Sequence, residues 1–247
     1  MHGLVTYVHR GPSSLYQFSG RQLTFLISLG MEIALLGNVL AVCTLSFSCS
    51  ALVPTISYTG CLRGHDRLFA FICTCFALTI PLTVLGLKAR FHGAIDSKLM
   101  TFAGLGCAFV LPGIGLVDEV NGLYVLTLTH VHTWLSLMLL TLAFLFAYCV
   151  HAGLETVVHV LSYEELKWKA RLHTLYYVSA VLALFTIFQW HFAYTTYSNS
   201  LINENIEALC EWTLISIGVF QPCLYAQFIP NYVIALGVQA KAGQEDT

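Results

Sequence analysis

The stretch LFAFICTCFALTIPLTVLGL, Leu68–Leu87, contains no charged side chain and is followed at once by Lys88 and Arg90. At about 1.5 Å of helical rise per residue it reaches across the roughly 30 Å hydrocarbon core of a bilayer. A second uncharged stretch, Leu99–Val117, begins just beyond the basic residues. Working outward, four more apolar stretches are long enough to cross: Leu23–Phe47, Val131–Val150, Leu172–Tyr194 and Leu209–Phe228. The chain therefore reads as an all-α membrane protein, a bundle of six transmembrane helices. Composition agrees, with 57% hydrophobic and 10% charged residues, where a soluble domain carries about 25% charged.

The basic residues orient the spans. Arg10 and Arg21 precede the first, Lys88, Arg90 and Lys98 separate the second and third, Lys167, Lys169 and Arg171 separate the fourth and fifth, and Lys241 follows the sixth. Arg63 and Arg67 depart from the pattern in the first gap. By the positive-inside rule both termini are cytosolic, and gaps one, three and five face a lumen or the outside. Residues 1–21 read as a cytosolic N-terminal tail, 22–235 as the membrane domain and 236–247 as a cytosolic C-terminal tail. The first twenty residues lack an apolar core, so the first span is expected to act as an uncleaved signal anchor. No basic run suggests nucleic acid; the partners expected are membrane lipids and a membrane protein.

Within this frame Glu32 is the carboxylate set deepest in a span, roughly 14 Å from Leu23 at the helical rise. A charge there costs at least a few kcal/mol unless it is protonated, paired or wetted. Two readings stay open: a lipid-headgroup or proton site, and an interhelical hydrogen bond to a Ser, Thr or Tyr on another span. The first gap contains Pro54, which fixes φ, and Gly60, which permits a turn, so an ordered extended segment is expected. His65, Asp66 and Arg67 then mark the interface before the second span.

Asp118 and Glu119 open the third gap, and His130 and His132 close it. Imidazoles and carboxylates are metal ligands, but a helical zinc pair takes histidines at i and i+4, and these two differ by two. No metal or cofactor is expected. Glu211 and Trp212 follow Cys210 at the start of the last span, where the helix dipole favours Glu and the interface favours Trp. Cys49 and Cys61 flank the first gap and could bridge it in an oxidising lumen. The segment Lys167-Trp-Lys169-Ala-Arg171 is suited to anionic headgroups at about 1 kcal/mol per basic residue; positive-inside anchoring explains it equally well.

Pro54, Ile56, Ser57 and Gly60 in the first gap, with Cys210, Glu211 and Trp212 at the last span, resemble a pattern of the Frag/DRAM/Sfk family. That family joins autophagy modulators, FRAG/SFK proteins and the N-terminal region of CWH-type GPI-anchor remodelling proteins. The resemblance covers roughly residues 22 to 235. It implies six spans with cytosolic termini and a non-catalytic role in lipid handling or membrane trafficking, at the Golgi, ER, lysosome or plasma membrane. One branch remodels GPI-anchor lipid, one acts in autophagy, and one recruits a phosphatidylinositol kinase complex. Thr59-Gly60 and Cys-Glu-Trp are nearer the latter two, and Lys167–Leu172 is nearer the first. Gln227-Phe228 departs from an Asp-Phe found in several members. An unlike alternative is an intramembrane lipid hydrolase or acyltransferase using Glu32 with Asp66 and the lumenal histidines.

Overall fold

The computed structural model describes residues 5–10, 13–45, 56, 66–91, 97–117, 128–196, 201–229 and 233–239. Helix α1 spans Gly20–Leu45, α2 Asp66–Ala77, α3 Thr79–Arg90, α4 Ser97–Leu116, α5 Leu128–Thr156, α6 Tyr163–Thr196 and α7 Leu201–Tyr225. Five stretches are long and apolar enough to cross a membrane: Gln22–Thr44, Arg67–Lys88, Lys98–Leu116, Trp134–Thr156 and Tyr163–Phe188. The second of these comprises α2 and α3 together. Leu78 interrupts it three residues before Pro81, a residue that has no N–H for the Ala77 carbonyl and whose ring would clash with that carbonyl in a regular helix.

Helix α1 turns Thr24, Ser28, Met31, Leu35, Asn38 and Val42 inward. These alternate at intervals of four and three, the spacing that keeps one stripe of a helix against its neighbours. The stripe packs against α7 and α2. Helix α4 packs between α2 and α5, and its small residues permit the close approach. A Cβ on Gly115 would stand 2.8 Å from the Ala70 Cα of α2, so the two backbones meet there without a side chain between them. The largest core cluster gathers Val84, Leu87, Met100, Phe146, Val150, Leu154 and Tyr225 near one end of the bundle. A second joins Met31, Leu35, Ile56, Phe69, Ile72 and Val219 towards the other.

Helix α6 starts nine residues before the expected span. Ser162 and Glu165 form a reciprocal cap: the Ser162 N–H donates to Glu165 Oε2 at 2.8 Å, and the Glu165 N–H to Ser162 Oγ at 3.3 Å. This S-x-x-E box satisfies donors that a helix start otherwise leaves open. The basic segment 167–171 is therefore helical rather than a loop.

The all-α expectation holds for the bundle and needs correction outside it. Val5–Arg10 (β1), Ser13–Ser19 (β2) and Val233–Gln239 (β3) form an antiparallel sheet in the order β1-β2-β3. Val5 pairs with Phe18, and Ser19 pairs with Val233. The expected N-terminal tail thus pairs with the end of the expected membrane domain and the start of the C-terminal tail, because backbone donors and acceptors of two extended ends satisfy one another.

Candidate functional site

Two carboxylates on different helices are tied to distant parts of the chain. On α1, Glu32 Oε1 accepts a hydrogen bond of 2.6 Å from Ser216 Oγ of α7. Its Oε2 is buried and has no hydrogen-bond partner among the described residues. A second polar contact between the same helices joins Ser28 to the Cys223 thiol. On α7, Glu211 Oε2 accepts the Ile56 backbone N–H at 3.1 Å. Ile56 is 1% exposed and packs with Met31, Leu35, Phe69 and Ile72, and Trp212 leans on the same cluster. The first-gap motif and the Cys-Glu-Trp motif are therefore brought together at Ile56, Glu211 and Trp212. Each carboxylate anchors a tertiary contact.

The remaining expected site residues stand as follows. Pro54, Ser57, Gly60, His65, Cys49 and Cys61 lie outside the described residues. Asp66 opens α2 and Arg67 beside it is exposed, while the Asp66 side chain lies outside the description. The same holds for the side chains of His130 and His132, whose positions on α5 are about 200° apart around the helix. Among the described residues no three His, Cys, Asp or Glu stand close enough to hold a metal ion. Cys43, near the end of α1, is disulfide-bonded, a bond the sequence reading does not include. Cys73, Cys75, Cys107, Cys149, Cys210 and Cys223 keep their thiols outside any disulfide.

Between the helices lies a cavity of about 410 Å³, within the range of about 300–1,000 Å³ usual for small-ligand pockets. Its walls are chiefly apolar: Met31 and Leu35 of α1, Phe69 and Ile72 of α2, Leu137 and Leu140 of α5, Ile187 of α6, and Ile215 and Val219 of α7. Glu211 and Gln221 place polar groups on the α7 wall. Gln221 in turn donates to the Tyr225 hydroxyl. Gly218 also lines the cavity, and a Cβ there would meet nothing within 4 Å.

At the opposite end of the bundle from Glu211, α5 and α6 bring together a polar cluster that the sequence reading missed. His173 Nδ1 lies 2.8 Å from His151 Nδ1. Lys169 Nζ stands 2.6 Å from Glu155 Oε1, and His173 Nε2 is 3.6 Å from the same oxygen. Tyr176, which lines the cavity, meets the His151 ring edge to face at 5.0 Å between centroids. The available signal was spacing: His151 and Glu155, like Lys169 and His173, are four residues apart and share a helix face. Lys169 is thereby engaged, Lys167 pairs with Glu164 at 2.9 Å, and Arg171 stacks on Trp168. A segment with these commitments has less basic charge to offer a headgroup than its composition suggests.

Comparison with family models, curated proteins and solved structures returns no match to this chain.

Proposed function

We propose that this chain is a non-catalytic, multi-span membrane protein that holds a lipid acyl chain in the cavity between its helices and acts in lipid handling or membrane trafficking, in the manner of the Frag/DRAM/Sfk type. The observation that carries this reading is the apolar cavity of about 410 Å³ inside a bundle whose helices suit a bilayer. A cavity walled by Leu, Ile, Phe and Met matches hydrocarbon, and a few polar groups suffice to fix a ligand's position. The non-catalytic part rests on the carboxylates: Glu32 and Glu211 are both engaged in tertiary contacts, whereas an acid or base must reach the proton it moves.

The proposed orientation, with cytosolic termini and first gap in a lumen or outside, is supported by the disulfide at Cys43. Disulfides persist in oxidising compartments, and Cys43 lies at the end of α1 that leads into the first gap.

Gly218 provides the test. Gly218→Leu adds a side chain into open cavity space, and Gly30→Leu does the same on an exposed position of α1. The chain purified from membranes and washed with lipid-free detergent is expected to retain phospholipid by mass spectrometry. Gly218→Leu should lose it, and Gly30→Leu should keep it. Equal retention by both variants removes the cavity as the lipid site. Loss of the protein followed by analysis of released GPI-anchored proteins separates the branches, since unchanged anchor lipid eliminates a remodelling role.

A further inference from the structure

The described contacts between α5 and α6 gather at one end. Glu155 meets Lys169, His151 meets His173, and Phe144 meets Tyr176 with ring centroids 5.7 Å apart. These three pairs fix an antiparallel register in which Ser136 and Leu137 come opposite Thr186 and Ile187. All four line the cavity. Away from the paired end α6 is held chiefly by α7, against which it packs far more extensively than against α5. Its flank is left exposed at Val181, Leu184 and Phe188. The two helices are thus clasped where they are joined and separated by cavity farther along.

The geometry points to a lateral route: a lipid acyl chain passes from the bilayer into the cavity through the cleft between α5 and α6, whose closed end is the His151–His173 and Glu155–Lys169 clasp. This rests on the lipid-binding reading above and adds how the ligand arrives. The walls of the cleft select hydrocarbon. Thr186 Oγ1 donates to the Leu182 carbonyl at 2.9 Å and Ser179 Oγ to the Leu175 carbonyl at 2.7 Å. Both hydroxyls are spent on their own helix, so a polar ligand threading past α6 gains nothing from them, and a methylene chain meets Leu137, Leu140 and Ile187. Both helices are apolar enough to span a membrane, so the medium against the cleft is lipid tails. The clasp resists widening at its end. Two imidazole nitrogens 2.8 Å apart must share a proton, and His151 is only 7% exposed.

The route can be closed chemically. Ser136→Cys and Thr186→Cys are combined and joined with a bis-maleimide, with both single variants treated alike to account for native thiols. Each chain is then placed in phosphatidylcholine nanodiscs containing a fraction of phosphatidylcholine with a diazirine on its acyl chain. Photolysis and peptide mass spectrometry read adducts on Leu35 and Ile215, which line the cavity on α1 and α7 away from the cleft. The expected result is adducts in the unmodified chain and a drop of about ten-fold in the linked double variant relative to the singles, as for a site whose access is gated. Leu140→Trp, which narrows the cleft from one wall without a linker, should slow the appearance of the same adducts. Undiminished labelling of the linked chain overturns the lateral route and leaves the lipid site standing. Absence of adducts on Leu35 and Ile215 in the unmodified chain overturns the lipid-binding reading itself.

Discussion

A carboxylate at bilayer depth must find a hydrogen-bond donor, and Glu32 finds Ser216, far away in sequence. The need was legible: an acidic residue inside an apolar run is costly wherever it points. The identity of the donor was not, because Ser216 is one of several hydroxyls on other spans and only the packing of α1 on α7 selects it. Removing the hydroxyl with Ser216→Ala is expected to cost about 1–3 kcal/mol, the penalty for a polar group stranded without its partner. Glu32→Gln should cost less, since its amide oxygen can still accept from Ser216. Thermal unfolding in detergent checks the pair, and a Ser216→Ala midpoint equal to that of the unaltered chain would show that the bond contributes nothing. Glu211 carries the same lesson. At the start of the expected last span it suggested a dipole role, but α7 begins ten residues earlier, at Leu201, and its actual bond to the Ile56 backbone is a long-range contact that neither motif displays when read separately.

At the scale of elements, spans two and three were the most readable because nothing charged interrupts them. Helix α6 was the least readable. Its first turns carry Glu164, Glu165, Lys167, Lys169 and Arg171, which hydropathy reads as loop, although the S-x-x-E spacing of Ser162 and Glu165 marks a helix start. The cap also bears on the clasp, since Lys169 and His173 are presented by the helix that Ser162 begins. Ser162→Ala should destabilise this end by about 1 kcal/mol, the usual cost of losing a serine cap. Amide hydrogen exchange localises the effect: protection should fall over Glu164–Leu166 and remain unchanged across Leu182–Phe188. A uniform loss along α6 would mean that the helix unfolds as one unit and that the cap does not act locally. The clasp itself was hidden for a different reason. Its two halves have helical spacing, yet their meeting depends on the tight turn through the 3-10 segment Val158–Val160, which places α5 and α6 side by side.

On the scale of the whole molecule, the count of crossings turns on α7. Glu204, Glu207, Glu211 and Gln221 dilute its apolar character, and it is not among the five stretches that composition alone marks as membrane spans. The sheet supplies an independent argument. Strand β2 runs directly into α1, while β3 follows α7 and pairs with β2 along its length. Two ends joined by backbone hydrogen bonds lie on one side of a bilayer, which requires an even number of crossings. With α2 and α3 counted as one passage, α1 through α6 offer five, and the six-span arrangement proposed here takes α7 as the sixth. Its polar groups are tolerable because Glu211 is bonded to Ile56 and Gln221 to Tyr225, and polar side chains that face the bundle interior avoid the cost of facing lipid. The expected outcome is that fluorescent proteins fused to the two ends behave alike in sealed vesicles. A membrane-impermeant quencher should reach both or neither, and the proposed orientation expects both on the cytosolic face. Quenching of one end alone would give an odd number of crossings, remove α7 from the membrane, and separate the two strands that the sheet pairs.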